Sequence, residues 1–226
     1  MPLYHVIYFM HMKLEDIFKK YKIEVFINKI KSHLKERNGK IIFKDPSINK
    51  NEIDGEFSEF DMTIKCFLDT SSTYWMGVLA HEYSHFLQCI NGSKYWDDFQ
   101  IKVSNIDNLN NLFKNSKSMQ KISKSNRLKL SQSIIKMELD CDKSAIGLIN
   151  KYKLPVDKKE YRSKANIVLY KYLYWGEYGV WPSIIDKKTG KISDWKTLGL
   201  SKLPSEDSYE SVNNIPRKLF YIFQNN

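Results

Sequence analysis

Hydrophobic residues repeat along the chain with two different periods, which separates predicted helices from predicted strands. They recur every three or four positions over 13–37, 127–152 and 158–175, as in amphipathic helices. They alternate with polar residues over 59–68 (EFDMTIKCFL), the pattern of a half-buried strand. The residues expected on its buried face are Phe60, Met62, Ile64, Cys66 and Leu68.

Turn and capping residues set the ends of these elements. Asn38-Gly39 is expected to close the first helix and Gly176 the helix over 158–175, because asparagine and glycine tolerate the left-handed conformation just beyond a helix. Another helix follows DTSST at 69–73, whose side chains are N-cap candidates, and runs to Ile90 before Asn91-Gly92. Shorter elements are expected as strands at 3–10 and 40–44, and as helices near 106–114 and from Pro216.

Together these elements predict an α+β fold class. A small mixed or antiparallel sheet packs on the helix that runs to Ile90, and a predominantly helical C-terminal part follows. No linker divides the chain, so one compact domain over 1–226 is expected. It would hold the sheet and first long helices at about 1–92, a helical half at about 105–180 and a loop-rich tail at 181–226.

The chain is basic, with a formal net charge of +10, which raises the question of a nucleic-acid or membrane partner. Only four of its 36 basic residues are arginine, the usual reader of phosphates and base edges, so the charge indicates a solvated lysine-rich surface instead. Three cysteines without a motif argue against a disulfide framework. The sequence lacks the pattern of a signal peptide or of a membrane span, and a cytoplasmic location is expected.

The most distinctive motif is HEYSH at 81–85. At about 100° per residue, His81 and His85 lie about 40° apart on one helix face, so their ring nitrogens can converge on one ion. Glu82 is displaced by about 100° and flanks that ion. In the HExxH motif two neutral imidazoles hold Zn²⁺, and the glutamate takes a proton from the water that the metal activates. Two histidines alone can also be core residues, so a third ligand is needed.

A downstream third ligand must be a carboxylate, because no histidine follows His85. The longer metzincin pattern would need a histidine at 91, which is Asn91. On the helix over 127–152, Glu138 and Asp142 fall within the apolar arc and Asp140 falls on the opposite, polar face. Burying two carboxylates is costly unless a cation or a proton donor meets them. A metal with its ligand imidazole could do so, and so could an internal lysine or arginine.

The pattern His81-Glu82-x-x-His85 followed by Glu138-x-x-x-Asp142 resembles the gluzincin metallopeptidases, especially the compact minigluzincin and M48-like forms. The resemblance covers about 57–150 and implies a zincin-like fold. It also implies that one Zn²⁺ is bound by His81, His85 and Glu138, that Asp142 orients a ligand histidine, and that a peptide or protein substrate is hydrolysed. An edge strand before the HExxH helix, here about 59–68, would bind the peptide by strand addition.

In the mechanism expected from these residues, Glu82 deprotonates the attacking water and passes the proton to the leaving amine. Zincins also use a side-chain donor to stabilise the oxyanion. In YKYLYWGEYGVWPS at 170–183, Tyr178 is the tentative choice, with Tyr174 and Arg162 as further candidates. Two other functions stay open: a basic nucleic-acid-binding protein, and an inactive zincin-fold interaction module. The oligomeric state is not predicted.

Overall fold

The computed structural model describes residues 14–45, 54–69, 71–104, 122–184, 198, 200–203 and 205–225. The strand expected at 3–10 and the helix expected near 106–114 lie outside these residues. Seven α-helices and three strands follow one another in the described chain. They are α1 (14–21), α2 (Glu24–Lys35), β1 (Lys40–Lys44), β2 (Gly55–Ser58), β3 (Thr63–Phe67), α3 (Tyr74–Asn91), α4 (Lys94–Ser104), α5 (Lys124–Lys151), α6 (Lys158–Tyr178) and α7 (Arg217–Asn225).

Several helices end in the same way, with one residue in the left-handed conformation just past the last turn. At the end of α3 this residue is Gly92, with φ +64°. Lys22 and Lys153 take the same conformation after α1 and α5, and the next amide of each turns back to a carbonyl five residues earlier. This is the Schellman arrangement, which satisfies carbonyls left open at a helix end.

The single helix expected over 13–37 is therefore wrong, because Lys22 divides it into α1 and α2. Ile23, the residue after the turn, is almost fully buried and anchors the break. Helix α2 ends at Lys35, close to the expected position, and its left-handed residue is Asn38. Gly39 serves a different purpose: a Cβ there would stand 2.3 Å from the carbonyl oxygen of Met62, so only glycine fits.

The sheet is mixed, and its strand order is β1-β3-β2. β1 runs parallel to β3, and β2 runs antiparallel to it. The strand expected over 59–68 is shorter than predicted, because 59–62 form a turn that leaves Phe60 86% exposed. Its expected position at a sheet edge is also wrong. β3 is hydrogen-bonded on both sides, and β2 is an outer strand of the described sheet.

The helical C-terminal part is confirmed in outline, with different bounds. Helix α6 begins at an N-cap, where the carboxylate of Asp157 accepts the amides of Lys159 and Glu160. It continues past the expected end at Gly176 and stops at Tyr178, followed by the left-handed Gly179. Gly176 therefore lies inside the helix. It is a glycine for a packing reason, because a Cβ there would stand 2.7 Å from the Ser131 side chain. The pattern did not predict α4, whereas α7 lies close to its predicted start.

The chain divides into two compact units, Met1–Phe86 with Ala145–Val156 and Leu87–Ser144 with Asp157–Asn226. Aromatic contacts join elements of the first unit: Phe43 packs on Phe18 and Trp75, and Phe26 packs on Tyr83. A hydrophobic core of the second unit combines residues of α5, α6, α7 and the segments before α7. Helices α3 and α5 contribute residues to each unit, and the single domain stays a prediction.

None of the helices in the described ranges combines the length and the hydropathy that a membrane crossing requires.

Candidate metal site

Helix α3 places the two histidines as the spacing predicts. The Nε2 atoms of His81 and His85 lie 3.0 Å apart, and the two rings are nearly perpendicular. His85 is 7% exposed and His81 is half-buried. The opposite side of the helix packs, with Trp75 and Phe86 buried. The imidazoles therefore converge from a helix that is otherwise held by apolar contacts.

Glu82 is buried beside the outer strand β2. A Cβ built on Gly55 of this strand would stand 2.9 Å from Oε1 of Glu82 and 2.6 Å from Cγ1 of Val78. Phe57, two residues along the same strand face, packs its ring on Phe86 of α3. The absence of a side chain at Gly55 thus lets the backbone of β2 lie directly against the Glu82 carboxylate.

Glu82 also influences Cys66, a buried residue of β3. Burial raises the pKa of the Cys66 thiol well above its ordinary value, and the carboxylates of Glu82 and Asp54 raise it further. Cys66 is fully buried, and its Sγ contacts the carbonyl oxygen of Trp75. Burial therefore keeps this thiol protonated.

We expect Gly55→Ala to destabilise the fold. The added methyl group would overlap Val78 and Glu82, and such overpacking costs about 1–3 kcal/mol. The matched control is Gly147→Ala, on the exposed face of α5, where a Cβ meets nothing within 4 Å. That change should stabilise the helix by up to about 1 kcal/mol. Urea unfolding measures both, and two free-energy changes of the same sign would contradict the packing described here.

Of the acidic residues of α5, Asp142 is buried as the periodicity predicts, whereas Glu138 and Asp140 are both half-buried. Asp142 is 3% exposed, Glu138 is half-buried, and Lys136 and Lys143 line an exposed face. Asp140 departs from the simple pattern, since it is half-buried and accepts a hydrogen bond from Nε2 of Gln88 at 2.8 Å.

Two hydrogen bonds fix the surroundings of these carboxylates. Gln88, on the histidine side of α3, also donates to the main-chain carbonyl of Met137 at 3.0 Å. Asp142 accepts a hydrogen bond from the hydroxyl of Tyr161 at 2.7 Å, and both side chains are buried. The sequence pattern pointed to Asp142 but gave no sign of Tyr161, which lies on the next helix.

One group of potential metal ligands emerges among the described residues: His81, His85 and Cys141, whose donor atoms all lie within 4.8 Å of one another. Glu138, the ligand expected from the sequence, is not a member of this group; it lies one turn before Cys141 on the same helix. Cys141 is fully buried. The residue type alone could have marked Cys141 as a candidate ligand, because a thiolate is a preferred zinc ligand.

The donor set suits a metal ion such as zinc. Two imidazole nitrogens bound to one zinc at about 2.0–2.1 Å in tetrahedral geometry stand about 3.3 Å apart. The observed 3.0 Å between the two Nε2 atoms would have to open by only about 0.3 Å. Nitrogen, sulfur and carboxylate donors are all within the range that zinc accepts.

Tyr178 is the last residue of α6. Its ring packs on Tyr174 and Phe220, and it is 46% exposed. This end of α6 lies beside residues 127–131 of α5. A Cβ built on Gly176 would meet the Ser131 side chain, and a Cβ built on Gly179 would meet the guanidinium of Arg127.

Residue 131 stands ten positions before Cys141, or about 15 Å along a helix. Tyr174 shares the apolar surroundings of Tyr178, and burial raises the pKa of its hydroxyl. Arg162 lies near the other end of α6, is half-buried, and stays a candidate oxyanion donor.

Comparisons with protein-family models, with curated proteins and with solved structures find no match for this chain.

Proposed function

We propose that the protein is a zinc-dependent peptidase of the gluzincin type, with a zincin-like fold. One observation carries the proposal: Glu82 is buried next to two converging imidazoles on α3 and directly against the outer strand β2. A protein that only bound a metal would need the histidines but would not need an acid beside them and beside a strand edge.

His81 and His85 would hold the zinc ion, together with a third donor from α5. We assign that donor to Glu138, since it is half-buried and occupies the position of the third ligand in the gluzincin pattern. Cys141 is the competing donor, favoured by its place in the ligand group. A bound zinc ion would lower the pKa of a water molecule and polarise a substrate carbonyl.

Glu82 would act as the general base and then as the general acid. Its carboxylate would take the proton of the attacking water and deliver it to the amine that leaves. Its position suits this task, because the carboxylate lies beside the converging imidazoles on one side and β2 on the other. Asp142 would accept an N–H from one ligand imidazole and so fix its orientation.

The substrate would lie along β2 as an added strand. β2 is an outer strand of the described sheet, and its backbone at Gly55 lies directly against Glu82. An extended peptide can hydrogen-bond to such an edge through its main chain, which gives affinity with little dependence on side chains. β3, to which the family resemblance gave this role, is excluded because both its sides are paired.

The experiment that tests the proposal is digestion of unstructured peptides. The zinc-loaded protein should cleave extended peptides to products with new termini, identified by mass spectrometry, and a chelator should stop the reaction. Folded proteins of the same composition should resist, because their backbone cannot pair with β2. A peptide set of varied sequence that stays intact with the zinc-loaded protein would sink the peptidase proposal.

A further inference from the structure

Three large apolar side chains are exposed close to one another where α6 ends. Tyr178 is 46% exposed, Val180 is 57% exposed and Trp181 is 41% exposed. They fall within positions 178–181, and we call them the apolar tip. Single exposed apolar residues are ordinary on a protein surface, whereas a group of them marks a site of interaction.

The apolar tip is anchored to the second compact unit by ring contacts. The left-handed Gly179, with φ +73°, ends α6. The chain then folds back along the helix, and the centroid of the Trp181 ring lies 5.0 Å from that of Tyr172. Tyr178 packs on Phe220 of α7 with a centroid distance of 6.2 Å. The tip is therefore held in place by packing while much of its surface stays exposed to solvent.

Cations lie beside the apolar tip. Nζ of Lys171 stands over the Trp181 ring, 5.6 Å from its centroid. The guanidinium of Arg127 donates to the main-chain carbonyl of Glu177 at 3.4 Å, and Lys124 pairs with the carboxylate of Glu177. Positive charge thus predominates in the contacts described for this end of α6, in keeping with the net charge of +10 of the chain. The partner that complements it is anionic.

The chemistry of the tip favours a lipid surface over a nucleic acid. Single-stranded nucleic acids bind through bases that stack on open ring faces. Lys171 already lies over the Trp181 ring, and the ring of Tyr174 packs on Tyr178 at 4.5 Å, so neither ring is an open platform. Val180, the most exposed member, has no ring at all. Aliphatic surface and amphipathic rings beside lysine are instead the groups that enter the headgroup region of a bilayer.

We propose that the apolar tip docks the protein on anionic membrane surfaces. Val180 and Trp181 enter the boundary between headgroups and acyl chains, and Tyr178 stays at the level of the headgroups. Lys171 keeps its ammonium group near the lipid phosphates. The attachment is peripheral and reversible. It goes beyond the proposed peptidase activity, because neither the proposed zinc ligands nor Glu82 takes part in it.

The test is co-sedimentation of the full chain with lipid vesicles. Phosphatidylcholine vesicles with about 30% phosphatidylserine should bind it at least about tenfold more tightly than pure phosphatidylcholine, since each nearby cation strengthens binding about fivefold. Added salt should reduce this preference. Val180→Ser should weaken binding to the anionic vesicles about 3–10-fold, and Trp181→Ala about tenfold or more, because both remove apolar surface. Lys171→Gln should weaken it about fivefold.

Val25→Ser is the matched control, the same change at a valine of α2 that is 72% exposed, and should leave vesicle binding within about twofold. Thermal unfolding checks the fold of each variant, and the exposed position of Val180 keeps the test valid if Trp181→Ala does not fold. Equal effects of Val25→Ser and Val180→Ser, or wild-type protein that ignores anionic vesicles, would overturn the proposal. So would single-stranded DNA bound more tightly than the vesicles, or a dimer that Val180→Ser dissociates and that binds no vesicles.

Discussion

Glu82→Gln should abolish peptide hydrolysis, lowering the rate by at least about 100-fold, while zinc binding is retained. Glutamine keeps the size of the side chain and so fits against Gly55, but it cannot take a proton from water. The neighbouring imidazoles are untouched, so the zinc affinity should stay within a few-fold. The measurement is the rate of cleavage of one extended peptide by equal amounts of zinc-loaded protein.

Glu56→Gln is the matched control for this prediction. It makes the same chemical change one residue from Gly55, on a side chain that is exposed and paired with Lys65 at 2.8 Å. An exposed pair of this kind contributes little to stability, so the cleavage rate should remain within about twofold. Full activity in Glu82→Gln, or an equal loss in the two variants, would rule out Glu82 as the general base.

Glu138→Ala should remove stoichiometric zinc, with a loss of affinity greater than about 100-fold. A third protein ligand is what turns two converging imidazoles into a tight site, and alanine offers no donor. Cys141→Ser is the matched comparison, one turn further along α5, and should keep one zinc ion per chain. Metal analysis of the purified variants after zinc loading and dialysis measures both.

The opposite pattern would move the third ligand to Cys141. Zinc retained by Glu138→Ala and lost from Cys141→Ser would mean that the His81, His85 and Cys141 group is the site as it stands. Loss in both variants would mean that each residue is needed to hold zinc, and the assignment to Glu138 alone would then be wrong. Retention in both would place the third donor elsewhere.

Local patterns predicted the parts of the site that one helix determines by itself. The four-residue spacing of His81 and His85 fixes their common face, and Glu82 follows from its place between them. On α5 the buried position of Asp142 follows from the helical period, because the residues around it in that arc are apolar. These features depend only on 3.6 residues per turn.

Features that depend on distant parts of the chain could not be read in this way. Nothing in the alternation of β3 shows that β1 and β2 pair on its two sides, so an inner strand was mistaken for an edge. Tyr161 lies nineteen residues from Asp142 on a separate helix. The end of α1 was missed because lysine rarely takes the left-handed conformation that Lys22 adopts just after it; the burial of Ile23 stabilises this turn.

The measurement that tests the central claim most directly is hydrolysis as a function of zinc occupancy. Zinc-free protein is titrated with zinc, and bound metal and peptide cleavage are determined on the same samples. The account predicts no cleavage without zinc and a rate that rises in proportion to occupancy up to one ion per chain. Cleavage by the zinc-free protein, or a fully occupied site that leaves every extended peptide intact, would contradict it.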